Sequence, residues 1–207
     1  MRTVKIAVMI SGGGTNLQSL IDEIHHKNVG GEIVLVVSNK EDVYGLTRAK
    51  NNKINSRIIH KKQYESALEY EEALMNVLDK EKVDLIVLAG YLAFIPVKII
   101  KKYENRIINI HPSLIPSFCG KGFYGKKVHE EVINRGVKIT GATVHFVNEE
   151  MDGGPIIIQK TVEVDSSDTV ESLQKKVLKI EHEILPLAVK LFIDNRLLVD
   201  YNKVKIL

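Results

Sequence analysis

Tryptophan is absent from the 207 residues, cysteine occurs once and proline five times. A lone thiol, Cys119, excludes an intramolecular disulfide and fits a reducing cytoplasm. No apolar run approaches the roughly 20 residues of a membrane-spanning helix. Without tryptophan, and with basic residues scattered among acidic ones, the chain lacks the aromatic and basic interleaving of single-strand nucleic-acid binders. The net charge of +3 comes mostly from lysines on solvated faces such as Lys98–Lys102. The seven histidines show neither an i,i+4 pair nor zinc spacing with cysteine, so no metal site is expected. Met1–Lys5 runs straight into an apolar strand rather than a secretory leader. These features predict a soluble cytoplasmic protein, monomeric or homodimeric, without nucleic-acid or membrane partners.

Hydrophobic residues make up 44% and charged residues 27%, enough apolar content for one α/β domain spanning 1–207. Strands are expected at Val4–Ile10, Ile33–Val37, Ser56–Ile59, Asp84–Ala89 and Ile107–Ile110. Helices are expected between them, at Asn16–His26, Tyr44–Asn51, Tyr64–Lys80 and from Pro96 onward. That alternation predicts a Rossmann-like open sheet, mainly parallel, with helices on both faces. The second half changes character. A loop at Ser113–Tyr124 and a helix at Lys126–Asn134 lead into two strands, Thr140–Val147 and Ile156–Val164. These read as an antiparallel pair extending the sheet. Asp168 to Glu171 resembles the capped start of a last helix reaching about Asn195, and Leu198–Ile206 reads as a short hairpin.

Three segments can carry chemistry. Ser11-Gly12-Gly13-Gly14-Thr15-Asn16 stands between the first strand and first helix, where backbone N–H groups and the helix dipole attract an anion. It reads either as a monophosphate site or as a plain capped turn. Leu17 occupies the last glycine position of a dinucleotide fingerprint, and no acidic residue ends the second strand, so NAD is rejected. Asn109-Ile110-His111 ends the fifth strand, and strand alternation puts Asn109 and His111 on one face. An amide donor and an imidazole there can serve an oxyanion and a proton transfer, although a strand-end histidine can also be structural. Asp152, before Gly153-Gly154, is either a turn residue or a partner that raises the pKa of His111. His145, inside a strand, reads as a satisfied core residue or one that supports the site from behind. His129 reads as surface, and Cys119 has no visible base beside it.

Taken in order, Ile10–Leu17, Val37-Ser38-Asn39, Leu88-Ala89-Gly90-Tyr91, Asn109–Pro116, Gly141–Val147 and Met151–Ile156 resemble the phosphoribosylglycinamide formyltransferases of the folate-dependent formyltransferase family. The resemblance covers Ile6 to Leu197. It implies an Asn-His-Asp catalytic trio, here Asn109, His111 and Asp152, and 10-formyltetrahydrofolate as co-substrate. It implies that Gly14, Thr15 and Asn16 hold the phosphate of a glycinamide ribonucleotide, with Gly90 and Glu181 also on the ribonucleotide. It places the folate against Tyr91, Leu92, Ala93, Phe94, Ile95, Asn109 and the segment Asn148, Glu149, Glu150, Met151 and Asp152. The chain departs from the family at Leu92-Ala93, where relatives carry Met-Arg. Ala67 stands for a folate-contacting arginine and Leu178 for a glutamine on the ribonucleotide side. Three alternatives share the scaffold: a formyltetrahydrofolate deformylase, which has His-His-Ser where this chain has His111-Pro112-Ser113; a methionyl-tRNA formyltransferase, which carries a further RNA-binding domain; and a non-catalytic folate or phosphate sensor.

Overall fold

A computed structural model describes residues 2–207. The chain forms two compact units that divide after Ile108, within the fifth strand.

The first unit is a parallel sheet. β1 (Val4–Ile10) pairs with β2 (Gly31–Ser38) on one side and β4 (Leu85–Leu88) on the other, and β3 (Ser56–Ile58) pairs with β2, giving the order β3-β2-β1-β4. Ala7 to Ile10 and Leu85 to Val87 are fully buried, which explains why these strands are continuous apolar runs rather than alternating ones. Strand order reverses between β1 and β4, so a ligand crevice is expected at their carboxyl ends. The turn after β1 and the segment after β4 are joined there: the Ser11 hydroxyl accepts the Leu92 N–H at 2.8 Å.

Helices α2 (Tyr44–Asn51), α3 (Ala67–Lys80) and α4 (Val97–Lys102) complete this unit. α3 begins three residues later than expected because the Ser66 hydroxyl accepts the Glu69 N–H and caps it there. The expected first helix is two pieces: α1 (Thr15–Leu20) and a π-helical turn, Ile21–His25.

The second unit is antiparallel in part, as expected. β6 (Ile139–Phe146) pairs antiparallel with β7 (Ile156–Glu163); β9 (Lys203–Ile206) touches β7 in parallel and pairs antiparallel with β8 (Leu197–Asp200). α5 (Lys126–Asn134) and α6 (Val170–Ile193) belong to this unit. α6 is capped one residue beyond Asp168. Thr169 and Ser172 exchange side-chain-to-backbone bonds, while Asp168 accepts from the Ser172 hydroxyl and Lys176. His129 on α5 corrects the expectation of a surface residue: it is 2% exposed, because it shares the buried face of its helix with Val128 and Val132. Among the described residues, no helix is long and apolar enough to cross a membrane.

Candidate active site

β5 (Ile107–His111) delivers Asn109 and His111 two residues apart, and β6 delivers His145. The turn Asn148–Gly154 carries Asp152 in a left-handed conformation, φ 54°, which aims its carboxylate between the two imidazoles. The turn is braced by Asn148 Oδ1, which accepts the Glu150 N–H at 3.0 Å. Gly154 admits no side chain, since a Cβ would fall 1.9 Å from the Phe146 carbonyl.

The four side chains form a chain of contacts. Asp152 Oδ2 lies 3.6 Å from His111 Nδ1, and Asp152 Oδ1 lies 3.7 Å from His145 Nε2. His145 Nδ1–H donates to the Phe146 carbonyl at 2.8 Å, which leaves the lone pair of Nε2 as an acceptor. That lone pair accepts from Asn109 Nδ2 at 3.1 Å, orienting the amide and leaving its second N–H for another acceptor. His145 therefore supports the site through Asn109, in accord with its sequence reading.

The loop from Ser113 to Tyr124 closes over this cluster. His111 Nε2–H donates to the Phe118 carbonyl at 2.9 Å, and the Gly120 N–H donates to Asp152 Oδ2 at 2.8 Å. Both partners are backbone groups, which no residue type in the sequence announces.

Electrostatics set burial against the upward pull expected of Asp152. Burial pushes the pKa of His111 below the ordinary histidine value, and this outweighs the upward pull of the Asp152 carboxylate and the Phe118 carbonyl. The imidazole is only 5% exposed, and the carboxylate, 3.6 Å away, is too far for a hydrogen bond. Burial would also raise Asp152, but the charge of a protonated His111 and the Gly120 N–H bring it below the usual carboxylate range. The resting pair is thus an ionised carboxylate beside a neutral imidazole. Burial, with Asp152 and Glu150, pushes the Cys119 thiol up, so it is a poor nucleophile.

The remaining sequence-selected residues fall in several places. In the first unit, Gly14 caps α1 from the left-handed region at φ 69°, and no side chain caps the helix; Thr15 is its first residue and Asn16 is 7% exposed. The capped-turn reading with a Thr or Asn side chain therefore does not hold. A Cβ on Gly14 would lie 2.7 Å from the Cα of Gly45, and Arg48 Nε clamps the turn from α2 by donating to the Gly13 carbonyl at 2.9 Å. Gly90 also has positive φ, at 76°. Tyr91 and Ile95 are buried, with the Tyr91 hydroxyl bonded to that of Tyr70, whereas Leu92 and Phe94 are exposed. Ala93 lines a cavity of about 440 Å³ with Asn39, His60, Lys61, Lys62 and Tyr70. In the second unit, Glu150, Met151 and Asp152 line a cavity of about 640 Å³ with Ile115, Cys119 and Asn202. Glu149 is exposed in the same turn, and Glu181 is buried on α6. No group of three or more His, Cys, Asp or Glu among the described residues is arranged to hold a metal.

Comparison with known proteins gives a family for the chain. Residues 4–189 match the family described as formyl transferase. The chain is 41% identical over 198 residues to the phosphoribosylglycinamide formyltransferase of Haemophilus influenzae, covering 96% of this chain and 91% of that one. It is 47% identical over 188 residues to the trifunctional purine biosynthetic protein adenosine-3 of Gallus gallus, covering 91% of this chain but only 18% of that relative's length. Glycinamide ribonucleotide transformylase 1 from Symbiobacterium toebii superposes with TM-score 0.93 at 38% identity, covering 99% and 94% of the two chains. A formyltetrahydrofolate deformylase from Pseudomonas syringae is more distant in sequence, at 27% identity and TM-score 0.89, and this chain covers 66% of it.

Proposed function

The chain belongs to the formyl transferase family, and from that premise we propose that it moves the formyl group of 10-formyltetrahydrofolate to the amine of N1-(5-phosphoribosyl)glycinamide, a step of purine synthesis. The observation that carries this reading is the cluster of Asn109, His111, His145 and Asp152, which pairs a free amide N–H with a neutral imidazole beside an ionised carboxylate.

The substrate amine attacks the formyl carbon, forming a C–N bond as the carbonyl electrons move onto oxygen. The second N–H of Asn109 donates to that oxyanion. His111 Nδ1, facing Asp152, takes the proton the amine sheds, and the imidazolium so formed is stabilised by the carboxylate 3.6 Å away. When the bond to the folate nitrogen breaks, Nδ1–H returns the proton to that nitrogen, directly or through water, and His111 is neutral again. The histidine thus begins as a base, because burial keeps it neutral.

Gly14, Thr15 and Asn16 are proposed to hold the ribonucleotide phosphate, with Gly90 and Glu181 as further ribonucleotide contacts. Tyr91 to Ile95, Asn109 and Asn148 to Asp152 are proposed for the folate. The backbone N–H groups that open α1 support the phosphate assignment.

Absorbance of formyl-folate consumption with candidate acceptors tests the reading. Rapid turnover is expected only with glycinamide ribonucleotide. Rapid consumption in water alone would make the protein a hydrolase, and dependence on charged initiator tRNA would make it an RNA-directed enzyme.

A further inference from the structure

The loop that follows β5 is tied down by two side chains outside the catalytic cluster. Thr143 and Gln159 are direct cross-strand partners in the β6–β7 pair, so their side chains lie side by side. Thr143 is fully buried. Its hydroxyl donates to the Ser113 carbonyl at 2.6 Å and accepts the Ile115 N–H at 3.1 Å. The amide nitrogen of Gln159 donates to Thr143 Oγ1 at 3.0 Å and to the Ile115 carbonyl at 2.9 Å. Because a carbonyl can only accept, that last bond also settles which end of the Gln159 amide faces the loop.

From this anchor the chain turns back on itself. The Ser117 N–H donates to the Leu114 carbonyl, and the Ser113 hydroxyl donates to the carbonyls of Ser117 at 2.6 Å and Phe118 at 3.3 Å. Phe118 takes a left-handed conformation, φ 51°, and presents the same carbonyl to His111 Nε2. A carbonyl in that position requires a proton on Nε2. The nitrogen left to gain and lose a proton is Nδ1, the one beside Asp152.

We infer that Thr143 and Gln159 are positioning residues for His111: by clamping the loop at Ser113 and Ile115 they hold the Phe118 carbonyl on Nε2 and so select Nδ1 as the nitrogen that carries the transferred proton. Neither residue belongs to the Asn109-His145-Asp152-His111 cluster; both act through the backbone of the loop. The kinetic consequence rests on the formyl-transfer reading, whereas the tautomer is a property of the free protein and can be read without substrate.

The experiment is nitrogen-15 NMR of the histidine rings at pH 8, with His111 assigned by His111→Asn, alongside kcat and KM for both substrates. In the wild type, His111 is expected as the pure Nε2–H tautomer. Gln159→Leu alters an exposed position, so it spares the core, and it removes both amide bonds. It should produce a mixture of tautomers and lower kcat by about tenfold or more while leaving both KM values near normal, since a catalytic histidine in the wrong tautomer loses rate rather than binding. Thr143→Val should act the same way and more strongly, and Thr143→Ser, which keeps the hydroxyl, should restore both readouts. If Thr143→Val does not fold, Gln159→Leu alone decides. An unchanged Nε2–H tautomer in Gln159→Leu would overturn the inference even if activity fell. A tautomer shift in Gln159→Leu, together with a wild type that transfers no formyl group, would leave the clamp standing and remove the proposed function instead.

Discussion

At the scale of single residues, the decisive balance is between burial and the field of Asp152 at His111. Burial wins, leaving the ring neutral, but the carboxylate still opposes it. Replacing Asp152 by Asn keeps the shape and removes the charge, so the pKa of His111 should move further down. The imidazolium formed during transfer would then lose its partner. We expect kcat to fall by about 10²–10³, the size of losing one transition-state contact in a dry site. Any limb of the kcat–pH profile that belongs to His111 should shift to lower pH. Both follow from rate measurements across pH with folding checked by circular dichroism. A near-normal kcat with an unmoved limb would reduce Asp152 to a turn residue. Asn109, His111 and Asp152 were legible in the sequence because their residue types carry chemistry and strand alternation sets two of them together. The Phe118 carbonyl and Gly120 N–H, which bind His111 and Asp152, were not, since every residue has such groups.

At the scale of elements, the glycine turn before α1 depends on close backbone approach. Gly14 combines positive φ with a neighbour, Gly45 Cα, that would sit 2.7 Å from any Cβ. Alanine there pays roughly 1–2 kcal/mol for the left-handed conformation, and the contact with backbone atoms of α2 forces the turn itself to move. Gly14→Ala should therefore raise KM for the ribonucleotide at least several-fold and leave KM for the folate close to normal; steady-state kinetics with each substrate varied separately checks this. Equal changes in both would show that the turn only supports the sheet. The same region marks a limit of periodicity: Asn16 to His26 reads as one helix, yet the chain leaves α-geometry after Leu20 for a π turn. Over so few residues, the apolar spacing of Leu17, Leu20, Ile21 and Ile24, all buried, does not separate the two. By contrast α2 and α5 match their expected bounds, Tyr44–Asn51 and Lys126–Asn134.

At the scale of the whole molecule, His129 couples global stability to acid. It is buried, its Nδ1 has no hydrogen-bond partner, and burial, with some repulsion from His111, lowers its pKa from 6.5 to about 4. The unfolded chain then binds a proton that the folded chain refuses between those values. Stability from this residue is present in full above pH 6.5 and is lost as pH falls toward 4, by up to about 3 kcal/mol. His129→Leu, which does not titrate, should flatten that decline. Urea unfolding of both proteins at pH 7, 5.5 and 4.5 should show wild type losing ground to the variant as pH falls. Parallel curves would mean that His129 is solvated or partnered in solution.

Sequence alone determined the parallel first half, the antiparallel β6–β7 pair, the family, and Asn109, His111 and Asp152 as candidates for the site, because these depend on local periodicity and on residue types with distinctive chemistry. Tertiary structure decided what depends on distance and burial: the lowered pKa of His111, the burial of His129, the left-handed Asp152 that reaches both imidazoles, and the hydrogen bonds of Thr143 and Gln159 to the loop. The reason is physical. A pattern along the chain records which face of an element is apolar, but desolvation and hydrogen-bond partnership arise only when segments such as 113–120, 143–145 and 152–159 come within a few ångströms of one another.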